Sequence, residues 1–150
     1  MGRTLVGLYR CDDGFVLANV GDSRAYQFRE GSLTQLSEDH SLVMAQVRQG
    51  LLSSDEAARS PERRVIYRAL GMSSELEVDI VPVALEPGDL YLLCSDRLTD
   101  AVDGAGLGGI LAKTTATATE PESICGQLLQ VALNRQAQDN VTAVLVRVGP

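Results

Sequence analysis

No apolar run in this chain approaches the roughly 20 residues that a membrane-crossing helix needs, so no span is expected. An excess of positive charge is missing too: 13 Lys and Arg stand against 20 Asp and Glu, for a formal net charge of −7. Neutralising phosphates calls for a basic surface, so nucleic acid is not expected as the main partner. Cysteine is scarce, and Cys11, Cys94 and Cys125 are odd in number and far apart in apolar surroundings. That pattern predicts buried thiols in place of a disulfide framework or a zinc cage. The first residues lack the cationic and apolar blocks of a secretory signal, and Val6 stands where myristoylation needs Ser or Thr. A cytoplasmic location is the expectation.

What is present is an ordinary globular composition, 45% hydrophobic and 22% charged over 150 residues. That suffices for one domain with a real core and is too little for two. The organising stretch is Leu90 to Asp100, LYLLCSDRLTD, an apolar run between a Pro-Gly-Asp turn and a polar end. It predicts a buried strand with Asp96 where the chain leaves the core. Two roles suit Asp96. Ser-Asp after a strand is a helix cap, and a carboxylate held at a strand end also suits a hard divalent cation.

Thr4 to Arg10 and Phe15 to Val20 flank an Asp-Gly turn, which predicts a hairpin. Gly21 to Arg24 interrupts the second strand before Ala25 to Arg29 resumes, and Glu30-Gly31 turns into Leu33 to Leu36, so an antiparallel meander is expected. Asp22 in that break is either a turn former or a carboxylate aimed at a site beside the sheet. Leu42, Val43, Val47 and Gly50 then predict a short helix, and Ser53 with Glu56 a capping box for a second one through Arg59. His40, the only histidine, falls at the entry to the first of these, in a helix-start or turn role or in a proton-transfer role. Arg59, Arg63, Arg64 and Arg68 make either a solvated basic patch or a surface for phosphorylated or acidic partners.

Glu77 to Leu85, interrupted by Pro82, suits an edge strand and is expected to pair with the Leu90 strand. Leu107, Ile110 and Leu111 predict a short helix, with a connection over Lys113 to Thr119. Pro121 opens an amphipathic helix carrying Ile124, Cys125, Leu128, Leu129, Ala132 and Leu133 on one face. Asp139-Asn140 precedes Val141 to Val148, expected to be a strand buried on both faces. Asp22, Asp96 and Asp139 therefore each stand at a strand end or break, and carboxylates delivered from several strand ends can assemble an oxygen-ligand site for a hard cation.

The strings ANVGDSRAY (Ala18 to Tyr26), EDHS (Glu38 to Ser41), YRALG (Tyr67 to Gly71), LLCSDRLTD (Leu92 to Asp100) and QDNVTAVLV (Gln138 to Val146) together resemble the metal-dependent protein phosphatase family, the PPM or type 2C class, in its bacterial form. The resemblance covers essentially residues 1–150 as the C-terminal part of one PPM-type domain. It implies an α+β fold, an antiparallel two-sheet sandwich flanked by helices, here incomplete. It also implies hydrolysis of phosphoserine and phosphothreonine with Mn2+ or Mg2+. By motif, Asp96 and Asp139 would be ligands of a binuclear centre, Asp22 with Asp96 would hold a further metal, and Asn140 would support them. The segment between His40 and Arg59 matches the family's flap.

The family's N-terminal acidic, phosphate-binding and bridging residues have no counterpart ahead of Met1, and Arg97 stands where the family has glycine. Arg3 likewise replaces a threonine. Truncation is therefore expected, with weak or absent turnover by this chain alone. The alternative is a pseudophosphatase that binds a phosphoprotein or a kinase. Self-association or a complementing chain is the expected consequence of a sheet left uncovered.

Overall fold

The computed structural model describes residues 2–12, 14–116, 120–135 and 140–149. Strands β1 (Leu5–Cys11) and β2 (Gly14–Val20) form the expected hairpin, and β5 (Asp79–Val83) pairs antiparallel with the other edge of β2. A second, four-stranded sheet runs β4 (Ser32–Gln35), β3 (Arg24–Arg29), β6 (Leu90–Cys94) and β7 (Ala143–Arg147), all antiparallel. The meander is thus broken at its centre, because β2 and β3 do not pair and the chain changes sheets between them. Nor does β5 pair with β6: Pro82 keeps β5 at the edge of the smaller sheet, and the turn after it delivers β6 to the larger one.

Side-chain alternation shows how the layers stack. On β3 and β6, Tyr26, Phe28, Leu90, Leu92 and Cys94 point to the helices, where they meet Leu98, Leu107, Leu111, Ile124 and Leu128. On the opposite face Ala25, Tyr91 and Leu93 meet Leu17, Val6, Leu8 and Val81 of the smaller sheet. β6 is buried on both faces, which is why its sequence is unbroken apolar. β7 is not: it closes the sheet edge, and Val144 is 52% exposed.

Among the described residues five helices complete the fold: α1 (Leu42–Arg48), α2 (Ser54–Arg59), α3 (Asp96–Ala101), α4 (Gly104–Ala116) and α5 (Pro121–Asn134). The capping box of Ser53 and Glu56 is present, and Pro121 begins α5 as its sequence predicts. On α5, Ile124, Leu128 and Ala132 are buried, whereas Leu133 turns outward at 61% exposure. α4 is longer than the short helix read from its composition, since burying Leu107 and Leu111 against the sheet outweighs the low propensity of its glycines and threonines. Of the cysteines only Cys94 is fully buried, and burial pushes its thiol up to about 12; Cys11 is exposed. No helix among the described residues is long and apolar enough to cross a membrane.

Candidate functional site

The sheet switch and the end of β6 open onto one cavity of about 650 Å3. One wall carries Asp22, Arg24 and Asp39, α1 and α2 with their caps contribute Ser41, Met44 and Ser54, the turn after α2 contributes Arg63 and Arg64, and α3 supplies Asp96, Thr99 and Asp100. Asp22 arrives there because Gly21 takes a φ of +106°, at which a Cβ would come within 2.4 Å of Thr4 Cγ2. Only glycine permits that turn. Asp96 is the first residue of α3, directly after the fully buried β6.

Ser95 occupies the N-cap position but makes no side-chain cap bond. Its hydroxyl accepts the Thr142 N–H at 3.1 Å and its N–H donates to the Thr142 carbonyl at 3.0 Å. The cap reading of the Ser-Asp pair therefore holds for position and not for hydrogen bonding. Instead the serine staples the start of α3 to the chain entering β7.

The cavity's four aspartates divide by partner. Asp39 receives Arg24 through Nε at 2.9 and 3.0 Å and Nη2 at 2.6 Å. Asp100 receives Arg64 through Nη2 at 2.7 Å and Nε at 3.1 Å. Asp22 and Asp96 have no such bidentate partner among the described residues. Burial, and then the negative charge of Asp96, hold the Asp22 carboxyl above the usual carboxylate range. Two carboxylates in mutual repulsion on the lining of one cavity are an arrangement that a cation relieves.

One cation is already near. Arg97 Nη1 lies 3.9 Å from Asp96 Oδ2 and 3.7 Å from Asp100 Oδ2. Among the described residues no group of three or more His, Cys, Asp or Glu side chains comes together as a metal cage. Asp139, the third residue proposed from sequence, lies outside the described residues. The oxygen donors of Asp22 and Asp96 suit one magnesium or manganese ion with water completing its shell; the described residues do not furnish a binuclear centre.

Sequence reasoning missed the ion pairs of Asp39 and Asp100, whose partners lie 15 and 36 residues away. It also places His40 only as a helix-start, turn or proton-transfer residue. The ring is buried against Gly21 and Asp79, and the helix cap is its neighbour Ser41. The arginines read as one patch separate: Arg68 bonds Asp79 and Glu77, Arg64 bonds Asp100, and Arg63 lines the cavity with no carboxylate partner among the described residues.

The family model described as Stage II sporulation protein E (SpoIIE) matches residues 38–149. The serine/threonine phosphatase stp of Listeria innocua is 38% identical over 146 residues, 97% of this chain and 56% of the relative. The serine/threonine phosphatase PstP/Ppp of Mycobacterium tuberculosis superposes with a TM-score of 0.89 at 33% identity, over 100% of this chain and 61% of that one. A structure of the catalytic domain of PstP in complex with two manganese ions superposes with a TM-score of 0.84 at 33% identity, over 100% and 60%. The present chain thus spans 56% to 61% of the length of these relatives. With two antiparallel sheets flanked by helices and five motif strings in order, the chain belongs to the metal-dependent protein phosphatase family, PPM or type 2C, in its bacterial form.

Proposed function

We propose that this chain acts in the hydrolysis of phosphoserine and phosphothreonine in proteins, with Asp22 and Asp96 as carboxylate ligands for magnesium or manganese. The observation that carries the reading is the division within the cavity: Asp39 and Asp100 each hold an arginine through close two-point hydrogen bonds, whereas Asp22 and Asp96 have no such partner among the described residues, Arg97 standing 3.9 Å from Asp96. When bound, such an ion supplies Lewis-acid stabilisation of charge on phosphoryl oxygens. The protein's own part is to hold the carboxylates on rigid ends, Asp22 behind a pinned glycine and Asp96 behind a buried strand. Arg63, lining the same cavity, is suited to the anionic phosphoryl group. Asp139 is proposed as a further ligand from its motif alone.

Arg97 favours a second reading, a catalytically silent module that binds a phosphoprotein or a kinase, because a fixed guanidinium beside Asp96 opposes a metal. Calorimetric titration of the chain with manganese separates the two, with Asp96→Ala as the control. Binding that disappears in the control is expected under the first reading. An absence of binding in the unaltered chain would leave only the second.

A further inference from the structure

The one histidine is a buried titratable group for which the chemistry above has no use. His40 is 1% exposed. Its ring Nδ1 lies 3.0 Å from the Gly21 amide nitrogen, and its own backbone N–H donates to the Gly21 carbonyl at 2.9 Å. An amide N–H can only donate, so Nδ1 is the bare nitrogen and the neutral ring carries its proton on Nε2. Nε2 lies 2.9 Å from Asp79 Oδ2, which accepts that proton's hydrogen bond. Arg68 Nη1 stands 3.2 Å from the same Nε2, a donor beside a donor, and is satisfied by Asp79 Oδ1 at 2.7 Å. Asp79 thus orients the ring from one side while Gly21 uses it from the other.

Gly21 is the residue through which the chain leaves one sheet for the other, at a φ of +106°. His40 grips the peptides on both sides of it. The ring takes the N–H that joins Val20 to Gly21, and the His40 backbone takes the carbonyl that joins Gly21 to Asp22. With both peptide planes held, the direction in which the Asp22 side chain departs is held as well. We propose that His40 is a positioning residue for Asp22: its buried imidazole, oriented by Asp79, keeps the Gly21 peptides in the conformation that delivers the Asp22 carboxylate to the cavity it shares with Asp96. The inference deepens the reading of Asp22 and Asp96 as a metal-holding pair and rests on it.

The variants His40→Asn and His40→Gln divide the two ring nitrogens. The Asn Oδ1 falls near Nδ1 and can accept the Gly21 N–H, whereas the Gln amide falls near Nε2, reaches Asp79 and leaves Gly21 without its acceptor. In the full chain, manganese affinity is measured by calorimetry and Gly21 amide exchange by NMR. His40→Gln is expected to weaken manganese binding and speed Gly21 exchange by about tenfold each. His40→Asn is expected to stay within about threefold of the unaltered chain in both, even though it loses Asp79.

Equal losses in the two variants, or losses that follow Tm and not the Gly21 amide, would overturn the proposal. If the unaltered chain binds no manganese, the metal reading fails separately. Positioning is then decided by the Asp22 carboxyl carbon shift, expected to move in His40→Gln and stay in His40→Asn, and a shift unmoved in both overturns it. Should neither variant fold, the ring nitrogens of the unaltered chain decide: a bare Nδ1 coupled to the Gly21 N–H supports the proposal, and a proton on Nδ1 overturns it.

Discussion

Arg97 is the side chain that bears most directly on the proposed pairing of Asp22 and Asp96 around a metal. Its guanidinium, 3.9 Å from Asp96 and 3.7 Å from Asp100, raises the cost of placing a second cation at Asp22 and Asp96. Arg97→Gly, or Arg97→Gln to retain helix propensity, is expected to tighten manganese binding by about three- to tenfold in calorimetry. An unchanged affinity would mean that Asp100 already cancels the charge. Away from the cavity, buried Asp89 accepts Arg29 at 2.6 and 2.8 Å, the Glu86 N–H at 3.0 Å and the Tyr91 hydroxyl at 3.0 Å. Chiefly through Arg29, its carboxyl is held at about 2.

A depressed carboxyl adds stability that is complete above its unfolded pKa of about 3.9 and is lost as pH falls toward about 2. Asp89→Asn is therefore expected to cost about 2 kcal/mol at neutral pH and to flatten the acid limb of a Tm-against-pH curve between about pH 4 and 2. At this scale Asp22 and Asp96 were legible, because each acid follows an apolar strand. The pairs of Arg24 with Asp39 and Arg64 with Asp100 were not, because a contact across a fold leaves no spacing in the chain.

Among the elements, α2 depends most visibly on local chemistry. The Glu56 carboxylate accepts the Ser53 N–H at 2.8 Å and its hydroxyl at 2.7 Å, and the Ser53 hydroxyl accepts the Glu56 N–H at 3.3 Å. These bonds hold the Glu56 carboxyl below its ordinary value, so the box is complete at neutral pH and opens as that carboxyl is protonated in acid. Ser53→Ala is expected to speed Glu56 amide exchange by about fivefold and return the Glu56 titration toward normal, both read by NMR. Such motifs are local, so the helix start was readable.

Strand partners were not local in that sense. The breaks at Gly21 and at Pro87-Gly88 announce that a strand ends without saying which sheet receives the next one. Both β2 to β3 and β5 to β6 therefore crossed between sheets where neighbours were expected. α4 was underestimated for a related reason, its length being set by the sheet that Leu107 and Leu111 cover.

Across the molecule, the helices cover one face of the larger sheet and the smaller sheet covers the other, with Leu17, Val6, Leu8 and Val81 pointing inward from the smaller sheet. The alternate residues of β1, β2 and β5 point away from that core. Tyr9 and Ile80, on this outer face, are 50% and 56% exposed, with Val16 between their strands. An apolar sheet face in water favours association. The chain is expected to sediment as a dimer or larger species at micromolar concentration, and Ile80→Glu with Tyr9→Ser to shift it toward monomer. A monomeric unaltered chain would refute this.

By itself the sequence determined the hairpins, the buried central strand, the capped helix α2 and the place of Asp22 and Asp96 at strand ends, since period, turn chemistry and capping act within a few residues. Tertiary structure alone decided which strands share a sheet and which aspartates are neutralised. It also decided that the histidine at a helix start grips the glycine ahead of Asp22. Those outcomes depend on which distant groups meet once the layers close. That meeting is settled by burial and hydrogen-bond satisfaction over the whole fold.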